Sequence, residues 1–210
     1  VTSTTHKTLR GPRGGLILMK KEFEETINKG CPLALGGPLP HVLAAKAIAF
    51  QEANTPAFKT YAAKIVENAN ALAQSLIKRG ARLVTGGTEN HLMVVDVRPY
   101  GLTGRQAESI LREAGLTLNR NSIPFDPNGP WYTSGIRLGT PAMTTLGMGT
   151  SEMDEIADII ISVLKSSKAK FSEKTNAPSK ALVDIDPAVL EAAKKRVKTL
   201  LSKYPLYPDL

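Results

Sequence analysis

Apolar and polar positions along the chain follow two periods, one helical and one alternating. Residues 1–6 are rich in Val, Thr and Ser and read as a strand. The next stretch, Lys7 to Gly15, is broken by Gly11, Pro12, Gly14 and Gly15 and reads as a turn. Leu16 to Met19 is a continuous apolar run, expected to be a short buried strand. Lys21 to Asn28 has helical texture, and Gly30 to Pro40 reads as a Gly/Pro-rich loop. Between Pro40 and about Glu52, Val42, Ala45, Ile48 and Ala49 recur at helical spacing. Thr55-Pro56 opens a longer helix that runs to about Arg79, with Tyr61, Ile65, Ala69, Leu72 and Leu76 on one face and Gly80 as its stop.

The texture then changes to short alternating runs. Leu83-Val84 and Leu92 to Val97 read as strands around Gly86-Gly87. Thr103 followed by Gln106 is a capping-box pattern, opening a helix that ends at Gly115. Thr117-Leu118 and Ile136-Arg137-Leu138 read as strands, with a loop from Asn119 to Pro130. Ile156, Ile159, Ile160, Val163 and Leu164 define an amphipathic helix from Glu152 to Lys170. Residues 172–182 are polar and read as flexible. A last helix starts at Pro187 behind Asp186, with Pro205 and Pro208 as stops. This order predicts an α/β chain in two parts, a strand-and-helix portion and an α+β unit. The boundary is expected around residues 58–80.

Composition narrows the picture only a little. An apolar fraction of 42% and a charged fraction of 22% are ordinary for a soluble globular protein. No apolar run is long enough to span a bilayer, and the start lacks the basic-then-apolar order of a signal peptide. The chain opens on Val1 in a strand already under way, so a piece of a longer protein is expected. One cysteine, Cys31, rules out an internal disulfide framework and suits a reducing cytoplasm. The net charge of +8 lies mostly in Lys7 to Lys29 and Lys165 to Lys203. Without interleaved aromatics it reads as solvated surface rather than a nucleic-acid face, though a basic binding module would use the same charge.

Several residues have side chains suited to chemistry. A lysine becomes nucleophilic when nearby cations and desolvation disfavour its proton, as attack on a carbonyl requires. Lys7 has His6, Arg10 and Arg13 close in sequence; the plain alternative is a surface lysine in a basic loop. His6 could contact a cofactor or move protons. Thr4 and Thr5 could donate to an anion or a pyridine ring, or simply favour a strand. Gly36-Gly37-Pro38 leaves backbone N–H groups unhindered ahead of a helix, where a phosphate could sit; a plain turn looks the same. Arg137 stands between apolar neighbours in a strand and so needs an anion: a substrate carboxylate, or a structural Asp or Glu. Cys31, His6, His41 and His91 show no metal-ligand spacing, and no metal is expected.

Taken together, these segments carry a resemblance. VTSTTHKTLRGPRGG, from Val1 to Gly15, is similar to the V-T-T-T-T-H-K-T-L-x-G-P-R-G-G motif of serine hydroxymethyltransferases. GGPLPHVLAAKAIAF, from Gly36 to Phe50, resembles that family's G-G-P-x-x-H-x-x-A-x-K-A-x-A segment. Ser122 to Pro141 resembles its S-x-P-x-D-P…T-S-G-I-R-x-G-T-P, and the Lys-Tyr-Pro-Leu-Tyr ending also fits. The resemblance implies the C-terminal portion of a fold-type I pyridoxal-phosphate transferase. Residues 1–60 would end the large cofactor-binding domain and 61–210 would form the small α+β domain.

The same resemblance implies roles. Lys7 would hold pyridoxal phosphate as a Schiff base, with His6 and Thr4 against the cofactor and Thr4 in the proton-handling region. Arg13 would support the cofactor environment. The amide of Gly37 would reach the cofactor phosphate across a dimer interface, and Arg137 would grip the carboxylate of glycine or serine. The reaction would interconvert serine and glycine with tetrahydrofolate as co-substrate, in a cytoplasmic homodimer or homotetramer. A folate-independent aldolase acting on β-hydroxy amino acids is the alternative. Two positions depart from the family pattern. Phe125 stands where some members have an asparagine that contacts folate, so that role is not carried over. Cys31 to Leu35 precede the Gly-Gly pair where the family often has a glutamine. The family's N-terminal half would supply the ring-stacking aromatic, the aspartate for the pyridine nitrogen and most phosphate donors. The chain alone is therefore expected to be inactive until joined by that half.

Overall fold

A computed structural model describes residues 1–173 and 176–207 of the chain, with Pro208 outside the described residues. It divides into two units, Val1–Ala62 and Ala63–Leu210. In the first, β1 (Thr2–Thr4) and β2 (Gly15–Ile17) pair antiparallel, with Ser3 opposite Leu16. A 3-10 turn at Lys21–Phe23 leads into α1 (Glu24–Leu35), followed by α2 (Pro40–Ala53) and the start of α3 (Pro56–Lys78). Pro40 and Pro56 each sit at the first position of a helix, where a missing N–H costs nothing.

Two expectations for this unit need correction. Helix α1 runs through Gly30 to Leu35, where a loop was expected. The signal that competes with the breakers is Ile27, Cys31 and Leu35 at i, i+4, i+8, all lining one cleft. The run Leu16 to Met19 is not buried: Leu18 is 66% exposed. Helix α2 forms over the expected stretch, with Ala49 buried and Ile48 57% exposed.

The second unit holds the hydrophobic core. Four strands pair antiparallel in the order β3 (Arg82–Leu83), β4 (Leu92–Asp96), β6 (Gly135–Gly139) and β5 (Asn119–Asn121). Strand β5 lies where a loop was expected and begins directly after the Thr117-Leu118 pair, which was read as a strand and is not one. A run of Asn-Arg-Asn has no apolar alternation to mark it, so pairing with β6 decides it. Helix α4 (Gly104–Glu113) begins with the expected capping box, Thr103 Oγ1 accepting from Gln106 N and Gln106 Oε1 accepting from Thr103 N. Short helices α5 (Gly129–Tyr132) and α6 (Pro141–Thr145) flank β6. Then follow α7 (Thr150–Lys165), a hairpin of β7 (Ser167–Ser172) and β8 (Ala177–Ile185), and α8 (Pro187–Leu201).

The faces expected of α3 and α7 are the ones buried: Ile65, Ala69, Leu72 and Leu76 on α3, and Ile156, Ile159, Ile160, Val163 and Leu164 on α7. They meet Met93, Val95, Ile136 and Leu138 from the inner sheet face. Buried Asn68 on α3 is satisfied by donating to Thr144 Oγ1 (2.9 Å) and Met148 O (3.0 Å). Helix α7 ends at Lys165, and the segment after it pairs as strands instead of continuing helical or loose. Residues 174 and 175 of the stretch read as flexible lie outside the described residues. The side chain of Gln106 donates to Ser179 O and Leu182 O, both at 2.7 Å, and so holds β8 against α4. That contact joins residues far apart in sequence, beyond the reach of a local pattern. Asp186 accepts from Ala188 N at 2.8 Å and opens α8 as expected.

Candidate functional site

In the first unit, Thr4, His6 and Lys7 lie at the end of β1 and in the turn after it. Thr5 fixes that turn. It is fully buried; its N–H donates to Gly14 O (3.0 Å), its hydroxyl to Pro12 O (2.6 Å), and its carbonyl accepts from Gly11 N (2.7 Å). The Thr5 hydroxyl is therefore spent within the protein, not offered to an anion. Gly11 has to be a glycine, because a Cβ there would stand 2.9 Å from Thr5 O and 3.0 Å from Ala49 Cβ. The close approach seats the turn on α2.

Two cationic residues brace the same turn. Lys46 Nζ donates to Gly15 O at 2.8 Å from α2. Arg10 has the left-handed φ of 58° and stacks its guanidinium 3.7 Å from the Tyr61 ring centre. Neither role was visible in the sequence. Helical spacing puts Lys46 on α2 but does not say what α2 faces. Arg10, read as a cationic neighbour of Lys7, is turned onto an aromatic face.

Lys7 itself is exposed. Its carbonyl accepts from Arg10 N at 2.9 Å, so its backbone is held, while its ammonium makes no hydrogen bond or ion pair among the described residues. His6 Nδ1 lies 3.2 Å from Gly14 O and 3.3 Å from Gly14 N, which ties the ring to Gly14 in either tautomer. Its Nε2 has no partner among the described residues. Thr4 is partly buried opposite Gly15. Arg13 and Gly37 line one cleft of about 890 Å³, together with Gly36, Cys31, Val42 and Lys46. A Cβ at Gly36 or Gly37 would meet nothing within 4 Å, so there is room for a group to approach this exposed backbone. Lys7, His6 and Thr4 are not among the residues lining this cleft.

Arg137 belongs to the second unit, in β6, opposite Val94 of β4 and Asn119 of β5. The strand alternates: Ile136 and Leu138 face the core and Arg137 is exposed on the opposite face. It makes no ion pair among the described residues, so the structural carboxylate partner weighed for it is not there. The premise of an arginine embedded among apolar neighbours is also corrected, since neighbours in a strand point to opposite faces.

Near β6, Asp126 accepts from Ile123 N (3.1 Å), Asn128 N (2.9 Å), Ser134 N (2.8 Å) and Ser134 Oγ (2.6 Å). Burial pushes its carboxyl up, but the hydrogen bonds from Ser134, Asn128 and Ile123 outweigh this and hold it below the usual carboxylate range. Phe125 is fully exposed at a φ of 54°. Among the described residues no three His, Cys, Asp or Glu side chains gather as metal ligands would, and no helix is long and apolar enough to cross a membrane.

Comparison with known proteins places these features in a family. Serine hydroxymethyltransferases of Treponema pallidum, Salinispora tropica and Chlamydia trachomatis are 59%, 57% and 53% identical to the chain over 210 residues. Each match covers 100% of this chain but 36%, 44% and 42% of the relative, so the chain spans less than half the length of these relatives and corresponds to their C-terminal portion. A family model described as serine hydroxymethyltransferase matches residues 1–160, a span that takes in both the Lys7 turn and the Arg137 strand, and the chain belongs to that family.

Proposed function

We propose that the chain forms part of a pyridoxal-phosphate-dependent hydroxymethyltransferase that interconverts serine and glycine with tetrahydrofolate as co-substrate. The observation that carries this reading is the Lys7 turn. A buried threonine and its hydrogen bonds hold the backbone while the Lys7 ammonium stays exposed and without a partner among the described residues. On this reading the chain supplies the fixed backbone and the unengaged ammonium, while the desolvation that makes an amine reactive comes from the bound cofactor and the rest of the longer protein. The donor set fits the cofactor in kind, with an amine for its aldehyde at Lys7 and room at the exposed Gly36-Gly37 backbone for its phosphate.

When bound, the cofactor supplies an electron sink for the carbanion developing at the substrate Cα. The protein's own residues do the rest. Lys7 would hold the cofactor through its side-chain amine. His6, with its ring fixed by Gly14, would stand against the cofactor with Nε2 unengaged by the described residues. Thr4 handles a proton near the Lys7 amine, and Arg13 adds positive charge from the cleft wall. Arg137 binds the substrate carboxylate; its exposed and unpaired guanidinium supports that role.

Other parts of the enzyme complete the site. The first unit buries little besides Thr5 and Ala49, while Leu18, Phe23, Leu33, Leu39 and Ile48 are exposed, a pattern that fits burial against the rest of the longer protein and a second copy of it. A homodimer or homotetramer in the cytoplasm fits this reading, and the chain by itself is inactive. The test uses the full-length enzyme. After borohydride reduction, mass spectrometry of a digest should find the cofactor on the peptide bearing Lys7, and Lys7→Ala should abolish that product and turnover. Label on another lysine would refute the assignment. Serine cleavage measured with and without tetrahydrofolate separates the transferase from an aldolase.

A further inference from the structure

Burial alone fixes only part of the Arg137 site. Ile136 and Leu138 face the core and so turn Arg137 outward. Nothing apolar sets what stands beside it. Its neighbour strand β5 is Asn119-Arg120-Asn121, with no alternation to specify a register. The connection from Ser122 to Ser134 is too long to set the register by turn geometry. Even so, Asn119 lies opposite Arg137 and Asn121 opposite Gly135. On the outer face, Ile123 folds back over Gly135, where a Cβ would stand 2.8 Å from Ile123 Cγ2 and 2.9 Å from Asn121 O. The connection therefore covers the sheet up to the position beside Arg137 and leaves Arg137 open.

One carboxylate ties that connection together. Asp126 accepts from both of its ends, Ile123 N near the exit of β5 and Ser134 N and Oγ at the entry of β6, and from Asn128 N between them. Asn128 Nδ2 donates to Ser134 Oγ at 3.0 Å, and Val97 N donates to Ser134 O at 2.9 Å, which carries the tie into the end of β4. Two non-glycine residues in the connection, Phe125 (φ 54°) and Thr133 (φ 56°), hold left-handed backbone that the surrounding bonds must enforce.

We infer that Asp126 is a positioning residue for substrate carboxylate recognition: it clasps the β5–β6 connection so that Ile123 stays fixed over Gly135, two residues along β6 from Arg137. This rests on the reading of Arg137 as the carboxylate-binding group. Asp126 touches no substrate and acts through the loop it ties.

The experiment uses the full-length, cofactor-loaded enzyme with Asp126→Ala, Ser134→Ala and Arg137→Ala, read by steady-state kinetics, thermal melting and hydrogen exchange. Asp126→Ala should speed exchange across residues 122–134 and raise the KM for serine roughly tenfold, with kcat changed less. Ser134→Ala, which loses one donor and keeps the backbone bond, should shift both in the same direction by less. It also carries the test if Asp126→Ala does not fold. A KM unchanged in both clasp variants while Arg137→Ala raises it would overturn the positioning role and leave the Arg137 reading standing. A KM unchanged in Arg137→Ala would overturn that reading and the positioning role with it. A lower melting temperature with unchanged KM would mark Asp126 as structural only.

Discussion

Lys7 and Arg137 show how much a residue type reveals before its surroundings are known. The sequence marks both as candidates, one in a glycine-rich basic turn and one in a short strand, but offers each a plain alternative. For Arg137, strand alternation turns the side chain outward and no carboxylate pairs with it among the described residues, which supports the carboxylate-binding role proposed for it. On that proposal, Arg137→Ala should raise the KM for serine at least about tenfold in the full-length enzyme, with little loss of thermal stability, since no ion pair among the described residues is broken. Arg137→Lys should recover only part of this, because an ammonium cannot offer the planar two-donor fork. Substrate titrations of both variants beside melting curves check it. Thr5 makes the opposite point. It reads like its neighbours in a Thr-rich strand, yet it is the residue on which the Lys7 turn is built. Its sequence offers no signal for that, because its partners Pro12 and Gly14 come close only when the chain turns back.

At the scale of elements, the second unit was largely legible. The capping box at Thr103 and Gln106, the faces of α3 and α7 and the start of α8 follow local rules of hydrogen bonding and periodicity. The misses were α1 beyond Gly30, where helical spacing outweighed the breakers, and β5 and the β7–β8 hairpin, which pairing between strands decided. The ion pairs that join α3, α7 and α8 belong to the same class. Arg79 grips Asp154 with two bonds (2.9 and 3.0 Å) and reaches Asp158 at 3.1 Å. Arg196 on α8 reaches Glu155 (2.8 Å twice) and the same Asp158 (2.9 Å). Arg79, and then Ser75, hold the Asp154 carboxyl down to about 2 from the ordinary 3.8. A carboxyl lowered on folding stabilises the fold above its unfolded value and loses that contribution as pH falls toward its folded one. Asp154→Asn should thus lower the melting temperature at neutral pH, and the gap to the parent should close between about pH 4 and about pH 2. A gap that stays constant across that range would show that the pair contributes nothing through its charge.

At the scale of the whole molecule, the two units differ in what holds them. The second owns the core, with Leu72, Leu76, Met93, Val95, Ile136, Ile159 and Leu164 all nearly or fully buried. Each such side chain contributes on the order of 1.5–3 kcal/mol when removed from water. The first unit has Ala49 as its buried apolar side chain among the described residues. Hydrogen exchange on the chain alone should therefore be slow in α7 and β4 and fast in β1, β2 and α1; in the full-length enzyme the latter three should become protected. Equal protection of both units in the chain alone would contradict this.

The line between sequence and fold runs where local interactions end. Helix caps, glycine stops, periodic faces and the family motifs around Lys7 and Arg137 are readable from residues near one another in the chain, since hydrogen bonds and side-chain spacing within a few residues decide them. The buried role of Thr5, the turning of Arg10 onto Tyr61, the Asp126 clasp, the outward aim of Arg137 and the pairing of an all-polar β5 became definite only with the tertiary structure. Each depends on groups far apart in sequence, and only the folded chain settles which of them meet and which face is left to solvent.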